Sequence, residues 1–175
     1  MTLLKTIQTA IVPVIVALPL YVQAQSVAHI GEYGISTKEF IWVFKKNHAK
    51  KSELTYTNLA QYLDLYVDFK LKVLEAKRLG FDKDTAFVNE VSNFEKILRG
   101  KYGNRHKDLD LMINEYKEGV LMFNISEQKV WSANSKDVQV SEEQIEKLEK
   151  QWIADLRNRY TVRKDEGELN KLTKY

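Results

Sequence analysis

The chain has 175 residues, of which 44% are hydrophobic, and this is enough to build the core of one domain. Its 27 basic and 24 acidic side chains are interspersed rather than grouped into blocks of one sign, which argues against a nucleic-acid-binding surface. The sequence contains no cysteine, so disulfides, thiol catalysis and cysteine metal sites are excluded.

Residues 1–24 have the pattern of a signal peptide, with a short basic start and an apolar run from 11 to 22. Ala24 supplies a small residue before the expected cleavage site, which precedes Gln25. The run is shorter than the roughly 20 apolar residues of a spanning helix. It is also interrupted by Pro13 and Pro19. Cleavage is therefore favoured over an uncleaved anchor, and the predicted location is the periplasm.

The start of the mature chain predicts a strand with a tight turn, followed by a helix. Apolar residues alternate around two glycines between 26 and 36, which is typical of a short strand and turn. Ser36 can then cap a helix, and Glu39 follows three residues later in the spacing of a capping box. We expect this helix to run to about His48.

The next two helices are predicted from their apolar periodicity. The second runs from roughly Asn58 to Leu79 and ends at Gly80, a residue suited to a left-handed C-cap. Its polar side chains recur at spacings of three and four residues and predict one narrow solvent-facing stripe: Gln61, Asp64, Asp68, Lys72 and Glu75. A third helix, capped by Asp82 or Asp84, is expected to lie against the second through Phe87, Val91, Phe94 and Leu98.

A polar connector at 103–108 leads to a further helix, in which Gly119 indicates close packing of a neighbour. Ser126 is expected to cap a separate short helix bearing Val130 and Trp131. The apolar stripe of the helix after the connector comprises Leu109, Met112, Tyr116, Val120 and Phe123.

The last helix begins with a second capping box, Ser141 with Gln144. Neither the segment 27–35 nor the segment 160–164 has a local strand partner, so the two are predicted to pair. Residues 166–175 are polar and are predicted to fray because they have little to bury. The predicted buried side of the last helix comprises Ile145, Leu148, Trp152 and Leu156.

No catalytic, cofactor or metal site is predicted. His29, His48 and His106 are far apart and have no carboxylates at metal-ligand spacing. Neighbouring carboxylates lie at predicted helix starts, where the helix dipole stabilises negative charge, so capping accounts for them. Flexible methionines and aromatic side chains can line a groove for varied polypeptides, although for any single one of them a place in the core is the favoured interpretation.

Four blocks, taken together and in order, resemble the periplasmic SurA-type foldases, particularly the parvulin-type peptidyl-prolyl isomerases of Bacteroidetes. They are AHIGEYGISTKEFIWVFKKN, YLDLYVDFKLKVLEAKRLGFDKDTAFVNEV, INEYKEGVLMFNISEQKVW and WIADLRNRYTV. The resemblance implies a mainly α chaperone core in which the C-terminal helix returns onto the N-terminal helices and the terminal strands pair. We expect one helical domain at 25–165, with an N-terminal part 25–102, the linker 103–108 and a C-terminal part 109–165, and then a polar tail 166–175.

The chain departs from this family where the isomerase module would be inserted. A parvulin module needs roughly a hundred residues by ordinary domain sizes. Only the connector 103–108 separates ILRGKY from LMINEYKEGVLMF. The resemblance therefore implies a chaperone core without an isomerase module.

Two functions follow as expectations. The first is an ATP-independent periplasmic chaperone, without isomerase activity or cofactor, that binds unfolded outer-membrane or secreted proteins. The alternative is a structural or accessory subunit of an envelope or secretion assembly that binds one fixed protein partner. Both need an exposed apolar surface. The candidate binding residues are Tyr62, Tyr66, Met112, Tyr116 and Met122.

Overall fold

The computed structural model describes residues 25–48, 53–131 and 141–175, which are mainly helical with a small antiparallel sheet. The predicted signal peptide lies outside these residues. Short 3-10 turns occupy Phe81–Lys83 and Leu172–Lys174. The elements are β1 (Ser26–Ile30), β2 (Tyr33–Ser36), α1 (Thr37–Asn47), α2 (Tyr56–Arg78), α3 (Thr85–Tyr102), α4 (Leu109–Lys129), α5 (Glu142–Arg159), β3 (Val162–Lys164) and α6 (Glu166–Lys171).

The predicted pairing of the two terminal strands is confirmed. β1 lies between β2 and β3 and is antiparallel to both. Ile30 is paired with Val162, and the Gly31 N–H donates to the Thr161 carbonyl at 2.8 Å. Gly31 has a φ of 57°, the left-handed conformation that the turn between β1 and β2 needs. Two segments that are far apart in the sequence, Ser26–Ile30 and Val162–Lys164, therefore meet in one sheet.

The predicted helix starts at Ser36, Asp84 and Ser141 are also confirmed. The Ser36 hydroxyl accepts a hydrogen bond from the Glu39 N–H at 3.2 Å, and Asp84 accepts from two backbone N–H groups of α3. Ser141 and Gln144 form the complete capping box. Caps are contacts between near neighbours in the sequence, which is why the pattern alone identifies them.

Two apolar clusters form the interior. The first joins the sheet, α1 and the first half of α2 to three leucines from the C-terminal region, Leu156, Leu169 and Leu172. The second joins Val73 and Ala76 of α2 to residues of α3 and α4. Helix α2 contributes to both clusters, as its wide apolar face predicts.

Helix α3 packs mainly against α4, so the prediction that its whole stripe lies on α2 was wrong. Only Phe87 and Val91, in its first half, reach the cluster shared with α2. Further along, the Phe94 ring stacks on the ring of Tyr116 in α4, with a centroid separation of 3.7 Å. The short connector 103–108 folds α4 back antiparallel to α3, and this gives the second half of α3 a nearer partner than α2.

The buried side of α4 differs from the apolar stripe seen in the sequence. Ile113, Leu121 and Ile125 are buried together with Leu109, whereas Phe123 is 51% exposed. Helix α4 also continues through Ser126, whose hydroxyl lies 3.5 Å from the Met122 Sδ, so the separate short helix is not formed. The α4 face carrying these four buried residues is covered, whereas much of the apolar stripe remains accessible beside α3.

The prediction that the polar stripe of α2 faces solvent holds at Gln61, which is exposed, but was wrong from Asp68 to Glu75, where the stripe faces α5. Glu75 is only 3% exposed because α5 lies over it, and Arg159 of α5 pairs with it at 2.6 Å. Arg157 pairs with Asp68 at 2.6 Å. A third pair joins Lys72 to Glu149. The part of the stripe from Asp68 to Glu75 therefore forms the contact with α5, which we call the α2–α5 seam.

Helix α5 itself is less buried than its apolar pattern predicted. Leu156 is fully buried and Trp152 is partly buried, but Leu148 is 36% exposed. Ion pairs thus supply much of the specific contact between α5 and α2.

The polar tail is not frayed, contrary to the prediction. Asp165 caps α6 by accepting from the Glu168 N–H at 2.9 Å. Leu169 is 2% exposed and Leu172 is 0% exposed, and both belong to the first cluster. Two buried leucines three residues apart are sufficient to anchor this short helical segment. They are easily overlooked in the sequence because most of the surrounding residues are polar.

Replacing Leu172 by Ala should lower the free energy of unfolding by about 2–5 kcal/mol, because a fully buried leucine leaves both lost contacts and a cavity. Urea unfolding followed by circular dichroism measures this. Lys174→Ala, at an exposed position two residues away, is the control and should change stability by less than about 0.5 kcal/mol. Equal stability of the Leu172 variant and the native chain would show that α6 is not part of the cooperative unit.

The seam between α2 and α5 should weaken in acid through Glu75. Hydrogen bonds from Arg78, opposed by burial and assisted by Arg159, lower the pKa of Glu75 to about 2. The folded pKa lies below the ordinary value of 4.5. The stability that ionised Glu75 contributes is therefore complete above pH 4.5 and is lost as the pH falls towards 2. We expect Glu75→Gln to cost on the order of 2 kcal/mol at pH 7.

The difference in unfolding free energy between the native chain and Glu75→Gln should shrink steadily between pH 4.5 and 2. Urea titrations at several pH values test this. If the difference stays constant across that range, the substitution acts through the packing of the side chain at position 75 and not through the charge of Glu75.

Candidate functional site

Two adjoining depressions lie along α4. The outer pocket, between α3 and α4, has a volume of about 690 Å³. The inner pocket, between α4 and the α1–α2 pair, has a volume of about 340 Å³. The outer pocket has the apolar lining Phe94, Leu98, Tyr102, Met112, Tyr116, Val120 and Phe123, and the inner pocket has Val43, Tyr62, Leu65, Tyr66 and Phe69.

Both pockets are bounded by Glu115 and Gly119 of α4, so these residues form the divide between them. Among the residues that the structure describes, a Cβ built on Gly119 would meet no atom within 4 Å outside the backbone of α4 and the two neighbouring residues. The interpretation of Gly119 as a point of close packing was therefore wrong, since open space lies beside it. A glycine inside a helix is less stable than alanine there by about 1 kcal/mol.

The outer pocket is walled by an aromatic pair that is tied to a carboxylate. Tyr116 stacks on Phe94, and its hydroxyl donates to Glu90 at 2.8 Å, a bond that raises the pKa of Tyr116. At one end, the exposed Phe123 ring meets Trp131 edge to face at 5.2 Å. These contacts hold the rings in place and leave apolar faces accessible.

The inner pocket is walled by Tyr62, whose orientation is fixed on two sides. Its hydroxyl accepts a hydrogen bond from the Asn47 amide at 2.7 Å, and its ring meets the Phe44 ring edge to face at 5.3 Å. Burial raises the pKa of Tyr62. Leu65, on the rim of the same pocket, is 67% exposed. An apolar side chain this exposed beside a concave surface is available for contact with a partner.

A buried lysine lies beneath the inner pocket. Lys70 of α2 is 1% exposed, and its ammonium pairs with Glu39 of α1 and Glu118 of α4. It also donates to the Tyr33 hydroxyl of β2 at 3.1 Å. Burial alone would lower the pKa of Lys70, but the two carboxylates outweigh it and raise that pKa. The lysine therefore stays charged and links four elements of the fold.

The structure brings four of the five predicted binding residues to the pockets. Met112 and Tyr116 line the outer pocket, and Tyr62 and Tyr66 line the inner one. Met122 lines neither of these two pockets and packs against the second apolar cluster instead.

Tyr66 is only 8% exposed, and its hydroxyl donates to Glu39 at 2.6 Å. Burial and the Glu39 charge raise its pKa. Its side chain belongs mainly to the core and contributes little accessible surface to the inner pocket.

Sequence analysis missed Lys70, Leu65 and Gly119 as parts of this site. The signal for Lys70 was its position, since it follows Tyr66 by four residues and precedes Val73 by three on the apolar side of α2. A charged residue on that side of a helix needs a partner. No comparable signal marks Leu65 or the open space beside Gly119, because both depend on what α4 leaves uncovered.

No protein-family model, curated protein or solved structure matches this chain. In residues 25–48, 53–131 and 141–175, no three His, Asp or Glu side chains are grouped so that they could hold a metal ion. Among the helices of these same segments, none has the length and apolar character needed to cross a membrane. The pockets along α4 are therefore the basis for assigning a function.

Removing the Lys70 charge should destabilise the protein strongly. In Lys70→Met, the Glu39 and Glu118 carboxylates lose their shared cation, which we expect to cost about 3–5 kcal/mol of unfolding free energy. The double variant Lys70→Met/Glu118→Gln removes part of that unpaired charge and should recover at least about 1 kcal/mol relative to the single variant. Urea unfolding at pH 7 measures both, and a single variant as stable as the native chain would contradict this account.

Proposed function

We propose that this protein is an ATP-independent periplasmic chaperone that binds unfolded outer-membrane or secreted proteins in the two pockets along α4. The observation that carries the proposal is the open, mostly apolar groove formed by the outer and inner pockets. Aromatic rings held by neighbouring contacts wall it, and exposed apolar side chains such as Leu65 and Phe123 stand at its rim. Exposed apolar concavities of this kind serve binding.

The energetics favour weak binding of many sequences. Burying one large apolar side chain contributes about 1.5–3 kcal/mol, so filling both pockets contributes roughly 3–6 kcal/mol. Association of two molecules costs an estimated 4–15 kcal/mol, and ordering the client adds to that cost. A client must therefore add further contacts along its length, and each segment can be released without ATP hydrolysis.

Other parts of the proposal come from the sequence. The signal-like pattern of residues 1–24 supports a periplasmic location. The connector 103–108 joins α3 directly to α4, which supports a chaperone core without an inserted isomerase module. The resemblance to SurA-type foldases agrees with both points.

Changing groove residues should reduce chaperone activity more than stability. We expect Met112→Ser and Tyr116→Ser to lose about half or more of the ability to suppress aggregation of a urea-denatured outer-membrane protein on dilution, because they remove apolar contact area. Light scattering measures aggregation. The melting temperature should stay within about 3 °C of the native value for Met112→Ser, since that side chain lines the open groove.

Three controls separate binding from folding. Tyr56→Ser changes a 41% exposed tyrosine that is not in the lining of either pocket and should leave activity unchanged. Tyr116→Phe keeps the ring and should retain activity. Met122→Ser should lower the melting temperature more than Met112→Ser, because Met122 packs on the second cluster. If the native chain never suppresses aggregation, the chaperone proposal fails, and a single stoichiometric partner in a periplasmic pull-down would support the accessory-subunit alternative.

A further inference from the structure

Two residues of α4, Glu115 and Gly119, line both pockets and form the divide between them. Gly119 has no side chain of its own, and Glu115 lies one turn earlier. Apart from the backbone of α4 itself and the two neighbouring residues, no atom of the described chain lies within 4 Å of the position that a Cβ would occupy. The two pockets are thus connected across the bare backbone of α4.

Packing within this protein does not account for the glycine. Its φ is not positive, so the backbone does not require glycine, and the free space shows that an alanine would fit without a clash. Alanine would also favour the helix. Gly100 of α3 has the same free space, so what distinguishes Gly119 is its place in the lining of both pockets. A glycine there allows the backbone of another chain to approach closely.

The charge of the groove indicates what could lie there. Glu90, Glu115 and Glu118 line the two pockets, whereas Lys46 is the one basic side chain in their lining. Glu118 is paired with the buried Lys70, and Glu115 with the exposed Lys46 at 2.6 Å. The lining therefore carries a negative excess, which disfavours fatty acids and anionic lipids and favours a basic group. The Asn124 amide in the outer pocket can donate to or accept from a peptide backbone.

We propose that an extended polypeptide segment crosses α4 over Gly119, with one bulky apolar side chain in each pocket and a Lys or Arg side chain beside Glu90 and Glu115. This inference rests on the proposed function and specifies the class of client segment that the groove selects. The glycine permits the close approach of the client backbone, and the carboxylates select against acidic clients.

Two pairs of variants test the crossing. Gly119→Ala and Gly119→Leu place a side chain on the divide. Gly100→Ala and Gly100→Leu make the same changes in α3, where a Cβ would also meet nothing within 4 Å and the residue does not line either pocket. The probe is a fluorescein-labelled, otherwise Gly/Ser, 12-residue peptide with two leucines and one lysine, and fluorescence anisotropy gives its Kd.

We expect both alanine variants to raise the melting temperature by about 2–4 °C, because alanine favours a helix over glycine. Gly119→Leu should weaken peptide binding about tenfold and Gly119→Ala by less, whereas the Gly100 variants should bind within about twofold of the native chain. A gain in stability combined with a loss of binding at one position is not expected of a residue with a purely structural role.

The same peptide with glutamate in place of lysine tests the charge. It should bind the native chain about threefold or more weakly, and Glu90→Gln should reduce this preference. Unchanged binding by the Gly119 variants, or equal binding of the two peptides, would overturn the inference while leaving the chaperone proposal intact. If the native chain neither binds the peptides nor suppresses aggregation, both the chaperone proposal and this inference fail.

Sedimentation tests a different occupant of the groove. A concentration-dependent dimer that Gly119→Leu abolishes would assign the groove to a second copy of the chain and overturn the inference.

Discussion

The pairing of Lys70 with Glu39 and Glu118 is the constraint on which the groove depends. A lysine that is 1% exposed cannot remain charged without carboxylates close to it, and these come from α1 and α4. Helix α4 is therefore held at one position relative to α2 while its other side stays uncovered. Apolar contacts alone could let α4 slide or rotate into the groove, because they have little directional preference. The ion pairs of Lys70 fix the position of α4 more than they add to the free energy of unfolding.

Ion pairs also fix the position of α5, at the α2–α5 seam on another side of α2. Asp68, Lys72 and Glu75 each find an oppositely charged partner on α5, and β3 and α6 then carry the chain back to β1 and the first cluster. The seam leaves the first half of α5 weakly anchored by apolar contacts, since Leu148 is 36% exposed. Cooperative stability in this domain thus relies on its C-terminal leucines as well as on its helices.

Local features of this fold could be predicted from the sequence, and long-range ones largely could not. The caps at Ser36 and Ser141 depend on residues three positions away. The pairing of the terminal strands was predicted from a lack of local partners, but this holds only for β3, since β1 also pairs with the neighbouring β2. The buried side of α4 and the polar stripe of α2 depend on which helix covers them. Hydrophobic periodicity gives the existence of a helix but not the identity of its neighbour, which is why α3 was placed against the wrong one.

The candidate site shows the same boundary between what a pattern can and cannot indicate. The sequence shows an excess of apolar residues on α2 and α4, and three of them, Tyr62, Met112 and Tyr116, line the pockets. The pattern could not distinguish a filled interface from an open one, because the same side chains occur in both. Gly119 is the clearest case: a helical glycine indicates that something comes close, and in this fold no part of the described chain does so. The free space beside Gly119 is therefore a property of how α3 and α2 are arranged around α4, which the sequence of α4 alone does not contain.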